Sequence, residues 1–111
     1  VRVEDLLSRL MPHEKLALMI HDSPALERLA IPAYNWWNEA LHGVARAGKA
    51  TVFPQAIALD ATFDEQAVFL AFSLISDEAR AKYHLALRNN DRSAYNGLTF
   101  WTPNINILRD P

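Results

Sequence analysis

Apolar positions along the first ten residues fall at Val3, Leu6, Leu7 and Leu10, which is the stripe of an amphipathic helix. Pro12 interrupts it in a way that suits the first position of a new helix, and Leu16, Met19 and Ile20 then share one face. Both are expected to pack. Asp22-Ser23-Pro24 reads as a loop or a helix restart. The pattern changes at Ile31, where a short aromatic run predicts a strand near 33–37. Small and polar residues from Gly43 to Thr51 predict a loop, and Phe53–Ile57 a single helical turn starting near Pro54.

The clearest element follows. Thr62 and Glu65 have capping-box spacing, and Val68, Phe72, Ile75, Ala79 and Tyr83 recur at three or four residues. This predicts a helix over 63–88 that stops in Asn89-Asn90-Asp91. A second strand is expected near 98–101. Two strands separated by a long amphipathic helix are most simply parallel, joined by a right-handed crossover. One such unit leaves apolar surface uncovered, so the chain reads as the opening of a larger α/β domain.

Composition narrows the function. The 111 residues carry 11 Lys plus Arg against 13 Asp plus Glu, with a formal charge of −2. The basic residues are scattered, which leaves no electrostatic footprint for nucleic acid. The longest strongly apolar stretch, Ala67–Ile75, is far short of the roughly 20 residues that span a bilayer. The expected partners therefore include no nucleic acid and no membrane. Zero cysteines exclude disulfides and thiolate metal sites. No signal peptide is visible in the charged start Val1-Arg2-Val3-Glu4-Asp5, and with a first residue other than Met, sequence upstream is expected. The compartment stays open.

In parallel sheets and barrels, chemistry gathers at the carboxyl ends of strands. Glu39 lies just past the first expected strand and Trp101 at the end of the second, so Trp36 or Trp37, Glu39 and Trp101 would share a rim. An acid among indole faces suits a sugar, whose hydroxyls bond the carboxylate while its apolar face stacks on tryptophan. The alternative is that the tryptophans are ordinary core and Glu39 a solvated loop acid. Glu39 and His42 have a spacing that can ligate metal, but no second such pair exists, so no metal site is expected. His42 is read instead as a rim residue holding the turn before Gly43. Glu14-Lys15, Asp77-Glu78 and Arg80-Lys82 are read as solvated helix faces.

The run Tyr34-Asn35-Trp36-Trp37-Asn38-Glu39-Ala40-Leu41-His42-Gly43-Val44-Ala45 resembles the signature of family 3 glycoside hydrolases, in the β-xylosidase-like branch. The resemblance continues through Thr51–Ile57, Ile75–Tyr83 and Gly97–Pro111. It implies the amino-terminal portion of a (β/α) TIM-type barrel, incomplete in this chain, with a second α/β domain beyond. It also implies an exo-acting, retaining enzyme that removes β-linked xylose, glucose or arabinose-type units from oligosaccharides or aryl glycosides, without metal or other cofactor. Such enzymes are commonly secreted or periplasmic. By resemblance, Glu39 holds hydroxyls of the terminal sugar, and Trp37 and Trp101 are aromatic walls of its subsite. The family's arginine, Lys-His pair, nucleophilic aspartate and acid/base glutamate lie downstream, so this chain is expected to carry no catalytic residue and to be inactive alone. A non-catalytic module that binds a complementary chain, or sugar weakly, is the alternative.

Four departures from the family's pattern bear on stability. Met11 stands where a capping hydroxyl is usual, Ala30 and Ala58 where glycine is common, and Asp60 where a small apolar residue is common. Alanine is harmless at 30 and 58 only if φ is negative there, and the acid at 60 only if it meets water or a partner.

Overall fold

A carboxylate, not a hydroxyl, starts the long helix. In the computed structural model, which describes residues 2–102, Asp64 caps it by accepting the Ala67 N–H at 2.9 Å. The Thr62 hydroxyl donates to the Leu59 carbonyl at 2.6 Å and accepts the Asp64 N–H, so it closes the preceding turn and is not free to form the expected box. A charged acceptor at the positive end of the helix is the stronger cap. The described chain contains α1 (Arg2–Arg9), α2 (Pro12–Ala17), β1 (Asp22–Ser23), β2 (Tyr34–Asn35), α3 (Ala56–Asp60) and α4 (Glu65–Arg88).

The helix expected over 63–88 is thus Glu65–Arg88. Its inner face buries Ala71, Ile75, Ala79 and Ala86, while Val68, Phe72 and Tyr83 are half-buried. Ile75 and Ala79 meet Ala40 and Val44 in a small core, flanked by Phe53, Phe72 and Phe100. None of the described helices is long and apolar enough to cross a membrane.

The sheet differs from the expected one. Residues 33–37 contribute only Tyr34–Asn35, and these pair antiparallel with Asp22–Ser23, the segment expected to be a loop. Pro24 and Pro32 follow closely on the chain between the two strands and lack the N–H a longer ladder needs. Residues 98–101 form no strand. The physical reason is the Tyr34 hydroxyl, which accepts the consecutive N–H groups of Leu98 (2.8 Å) and Thr99 (3.0 Å), donors that an extended strand would point to opposite sides. The two segments nevertheless run side by side in the same direction. Tyr34 meets Leu98 and Thr99, the Trp101 N–H bonds the Asn38 carbonyl at 3.0 Å, and the Thr102 hydroxyl bonds the Ala40 carbonyl at 3.1 Å.

The amino-terminal helices do not pack as their stripe predicts. Val3, Leu6, Leu7, Leu16, Met19 and Ile20 are exposed, and of the two stripes only Leu10 is buried. What holds α2 is a charged residue read from sequence as solvated. Glu14 is buried, accepts the Met11 N–H at 2.8 Å, and pairs with Arg28, whose Nε lies 2.8 Å from its carboxylate. The Arg28 guanidinium also donates to the Arg9 carbonyl, which ties α1 to the same point. Glu14 thereby makes the bond to the Met11 N–H that a capping box assigns to its glutamate, and its pair with Arg28 anchors the start of α2.

These hydrogen bonds, with Arg28 foremost, lower the Glu14 carboxyl from 4.5 to about 2. The unfolded chain then binds more protons than the folded one between those values, so the contribution is full above about pH 4.5 and is lost as pH falls through about 2. Urea midpoints of the wild type and Glu14→Gln are expected to converge as pH is lowered from 6 towards 2.5. A gap that stays constant with pH would refute the linkage.

Ala30 ends the short 3-10 turn Glu27–Leu29 with φ 53°, in the left-handed region, whereas Ala58 lies inside α3 and Asp60 is exposed. Of these three residues, only Ala30 is strained. Replacing Ala30 by glycine is expected to stabilise the fold by about 0.5–1 kcal/mol, the relief of left-handed strain less the added entropy of the unfolded chain. The urea midpoint should rise. A fall would show that the turn is not held at this φ.

Candidate functional site

The residues that follow β2 are fixed by side-chain amides. Asn35 is buried, donates to the Asp22 carboxylate at 3.1 Å, and accepts the Trp37 N–H at 2.9 Å. The Trp36 N–H bonds the His21 carbonyl and its indole N–H bonds Ser23, so Trp36 is tied to the β1 side. Trp37 has other partners. Its indole N–H donates to the Tyr95 hydroxyl at 3.1 Å, and its ring stands 5.5 Å from Trp101 at an interplanar angle of 41°. His21 meets the Trp37 ring edge to face, also at 5.5 Å.

Trp101 is held by two bonds to the first segment. Its backbone N–H reaches Asn38, and its indole N–H reaches the Trp36 carbonyl at 3.1 Å. Trp37, Asn38, Glu39, Leu41 and Trp101 line an open pocket of about 240 Å3. Trp36 is not part of it. Both indole N–H groups are spent on the protein, which leaves ring faces for a ligand. Glu39 is half-buried and its carbonyl accepts the Ala45 N–H at 3.0 Å. Among the described residues no group donates to its carboxylate, so that carboxylate is available to an incoming hydroxyl. A pocket with one acid and two aromatic faces can hold a ring that is polar at its edge and apolar on its face.

Several residues that shape the pocket were not distinguished by sequence reasoning. Asn38, 1% exposed, donates to the Asn35 carbonyl and accepts the Gly97 N–H at 2.7 Å. The turn that delivers Tyr95 and Gly97 is ordered by Asp91, which accepts from Ser93 and Asn96; the Ser93 hydroxyl and amide hold its carboxyl below the usual range. The only trace in the sequence is that two amides, Asn35 and Asn38, bracket the Trp36-Trp37 pair.

The loop behind Glu39 is clamped by α4. Glu78 accepts the hydroxyl (2.6 Å) and the backbone N–H (3.1 Å) of Thr51, and these bonds, with a smaller contribution from Lys82, hold its carboxyl below the usual range. Lys82 donates to the Ala47 carbonyl at 2.6 Å and also to that of Lys49. The reading of these two as merely solvated is corrected: each has backbone or hydroxyl partners more than 25 residues away. Asp77 and Arg80 are exposed, as a solvated face implies. The His42 side chain is exposed too, and it is the His42 carbonyl, bonded to the Phe53 N–H at 2.8 Å, that fixes the turn. No group of three or more acidic or histidine side chains with metal-binding geometry occurs among the described residues.

No family model matches the chain. Curated relatives do, and they are glycosidases by name. A "Probable beta-D-xylosidase 7" of Arabidopsis thaliana is 44% identical over 120 residues, covering 99% of this chain and 15% of its own length. A "Xylan 1,4-beta-xylosidase" of Xylanibacter ruminicola is 43% identical over 112 residues, with 99% and 13% covered. A "Beta-xylosidase/alpha-L-arabinofuranosidase 1" of Medicago sativa subsp. varia is 41% identical over 120 residues, with 99% and 14% covered. This chain is a homologue of one segment of the β-xylosidases, and it spans about 15% of the length of the relatives it matches.

Proposed function

We propose that this chain is the amino-terminal part of a family 3, exo-acting, retaining β-glycosidase, and that it supplies part of the subsite for the non-reducing terminal sugar. The observation that carries this reading is the meeting of Trp37, Glu39 and Trp101 on one pocket. Glu39 accepts hydroxyls of the sugar, and these bonds strengthen as the ring distorts towards the transition state. Trp37 and Trp101 form the apolar wall. The names of the relatives favour β-linked xylose over glucose as the unit bound. The nucleophile and the acid/base come from polypeptide outside this chain, so the chain alone binds without hydrolysing.

The barrel and the second α/β domain belong to the same proposal. Phe69, Leu70 and Leu74 of α4 are exposed, and Phe63 is 95% exposed. A covering layer of further polypeptide accounts for that surface, and it equally suits a split module completed by a second chain.

The test is a titration of the 111-residue chain with xylose and with an aryl β-xyloside, followed by tryptophan fluorescence and by release of the aglycone. A saturable fluorescence change without release is expected. No spectral response to either compound would overturn the subsite, and turnover would overturn the assignment of the chemistry to residues elsewhere.

A further inference from the structure

The residue between Trp37 and Glu39 is the most deeply buried large side chain among the described residues, and it is polar. Asn38 makes four hydrogen bonds to the two segments that carry the pocket. Its backbone N–H donates to the Trp36 carbonyl and its Nδ2 to the Asn35 carbonyl at 3.0 Å, both on its own segment. Its Oδ1 accepts the Gly97 N–H at 2.7 Å and its carbonyl accepts the Trp101 N–H at 3.0 Å, both on the other. The far segment closes tightly on it. A Cβ at Gly97 would lie 2.6 Å from Asn38 Nδ2 and 2.8 Å from the Tyr34 hydroxyl. A side chain at residue 97 would have to displace the amide or the Tyr34 hydroxyl.

We infer that Asn38 is a positioning residue: it fixes the separation of Trp37 and Glu39 from Trp101, and so the width of the pocket. That this width serves a sugar rests on the function proposed above; the positioning itself does not. No regular ladder joins the two segments here, because the Tyr34 hydroxyl takes the donors of Leu98 and Thr99. The amide, with its donor on its own segment and its acceptor on the other, is the buried member of a set of bonds that also includes those of Tyr34, Thr102 and the Trp101 indole. Aspartate has nearly the same shape but lacks the donor, and it would set a carboxylate against the Asn35 carbonyl.

The Trp37–Trp101 pair supplies a readout that does not depend on sugar. Indoles at 5.5 Å and 41° are close enough to give an exciton couplet in the circular dichroism spectrum. In the 111-residue chain a couplet that disappears in Trp101→Phe is expected. Asn38→Asp should lose at least half of that couplet, keep the helical signal of α4, and bind xylose at least tenfold more weakly. A couplet undiminished in Asn38→Asp overturns the inference, as does a wild-type spectrum with no Trp101-dependent couplet. If Asn38→Asp fails to fold, Gly97→Ala takes its place with the same readout; failure of both to fold overturns the inference, since Asn38 would then hold the whole fold and not the spacing. If the couplet behaves as expected but xylose binds neither protein, the positioning role stands and the sugar reading fails.

Discussion

Replacing Glu39 by glutamine is expected to weaken xylose binding by about 10- to 100-fold and to leave the fold intact. The reason lies in what the carboxylate does not touch. Among the described residues no donor serves it, and the residue is anchored by its backbone through the Ala45 N–H. Glutamine keeps the length and one acceptor oxygen, but it exchanges charge-assisted bonds for neutral ones, a loss of about tenfold for each hydroxyl held. Two adjacent hydroxyls on one carboxylate give the upper figure. Trp101→Phe removes an indole whose N–H also bonds the Trp36 carbonyl, so its effect would mix binding with local packing. Glu39→Gln is the cleaner probe. The measurement is the titration of tryptophan fluorescence with xylose, with the urea midpoint as the control. An unchanged affinity with an unchanged midpoint would return Glu39 to the status of a solvated loop acid. In the longer enzyme proposed above, the same substitution should lower kcat/KM for an aryl β-xyloside more than it raises KM, because the bonds strengthen in the transition state.

That pocket was legible in the sequence because it depends on a coarse rule. Residues just past the ends of two co-directional segments face the same way, and the rule survives the absence of a regular ladder. Trp37, Glu39 and Trp101 accordingly line one pocket, although β2 pairs with Asp22–Ser23 and residues 98–101 form no strand. The residues by themselves left Trp36 and Trp37 open and only the resemblance pointed to Trp37; in the fold the choice is made by Ser23, whose hydroxyl accepts the Trp36 indole N–H. The long helix was legible from its period of three to four residues. Its first turn was not, because both Thr62 and Asp64 can cap and only the conformation of Phe63, at φ 51°, puts Asp64 in place.

The charged residues were the least legible. Glu14, Glu78 and Lys82 sit in helices with the spacing of solvated residues, and nothing nearby in the sequence announces Arg28, Thr51 or the Ala47 carbonyl. Asn38 is the same problem in neutral form. A polar residue is buried only where every donor and acceptor finds a partner, and the decisive partner here, the Gly97 N–H, comes from the far segment. Conversely, Val3, Leu6 and Leu7 carry a proper helical stripe that the described fold does not cover. Periodicity tells which face wants burial, not what buries it.

Gly43→Ala is expected to be the most destabilising single substitution in the loop behind the pocket, at about 3 kcal/mol or more. Gly43 has φ 117°, a conformation that side chains other than hydrogen rarely adopt, and a Cβ there would lie 2.2 Å from the Thr51 carbonyl oxygen. The contact is with backbone on both sides, so no rotamer change relieves it. Strain at such a φ contributes about 1–3 kcal/mol, and the overlap adds to it. Thr51 cannot simply move away, because its hydroxyl and N–H are held by Glu78. Displacing Gly43 instead pulls on the neighbouring Val44 in the core and on the Ala45–Glu39 hydrogen bond. Gly48 provides the internal control. It lies in the same loop with φ 76° and has nothing within 4 Å of the Cβ position, so Gly48→Ala should cost only the left-handed strain, about 1–2 kcal/mol. Urea midpoints of the two variants therefore separate backbone strain from collision. Equal losses would mean that the loop is not pressed against Gly43. A larger loss at Gly43, accompanied by weaker xylose binding, would show that the clamp formed by Glu78 on Thr51 is transmitted through Gly43 to the backbone of Glu39.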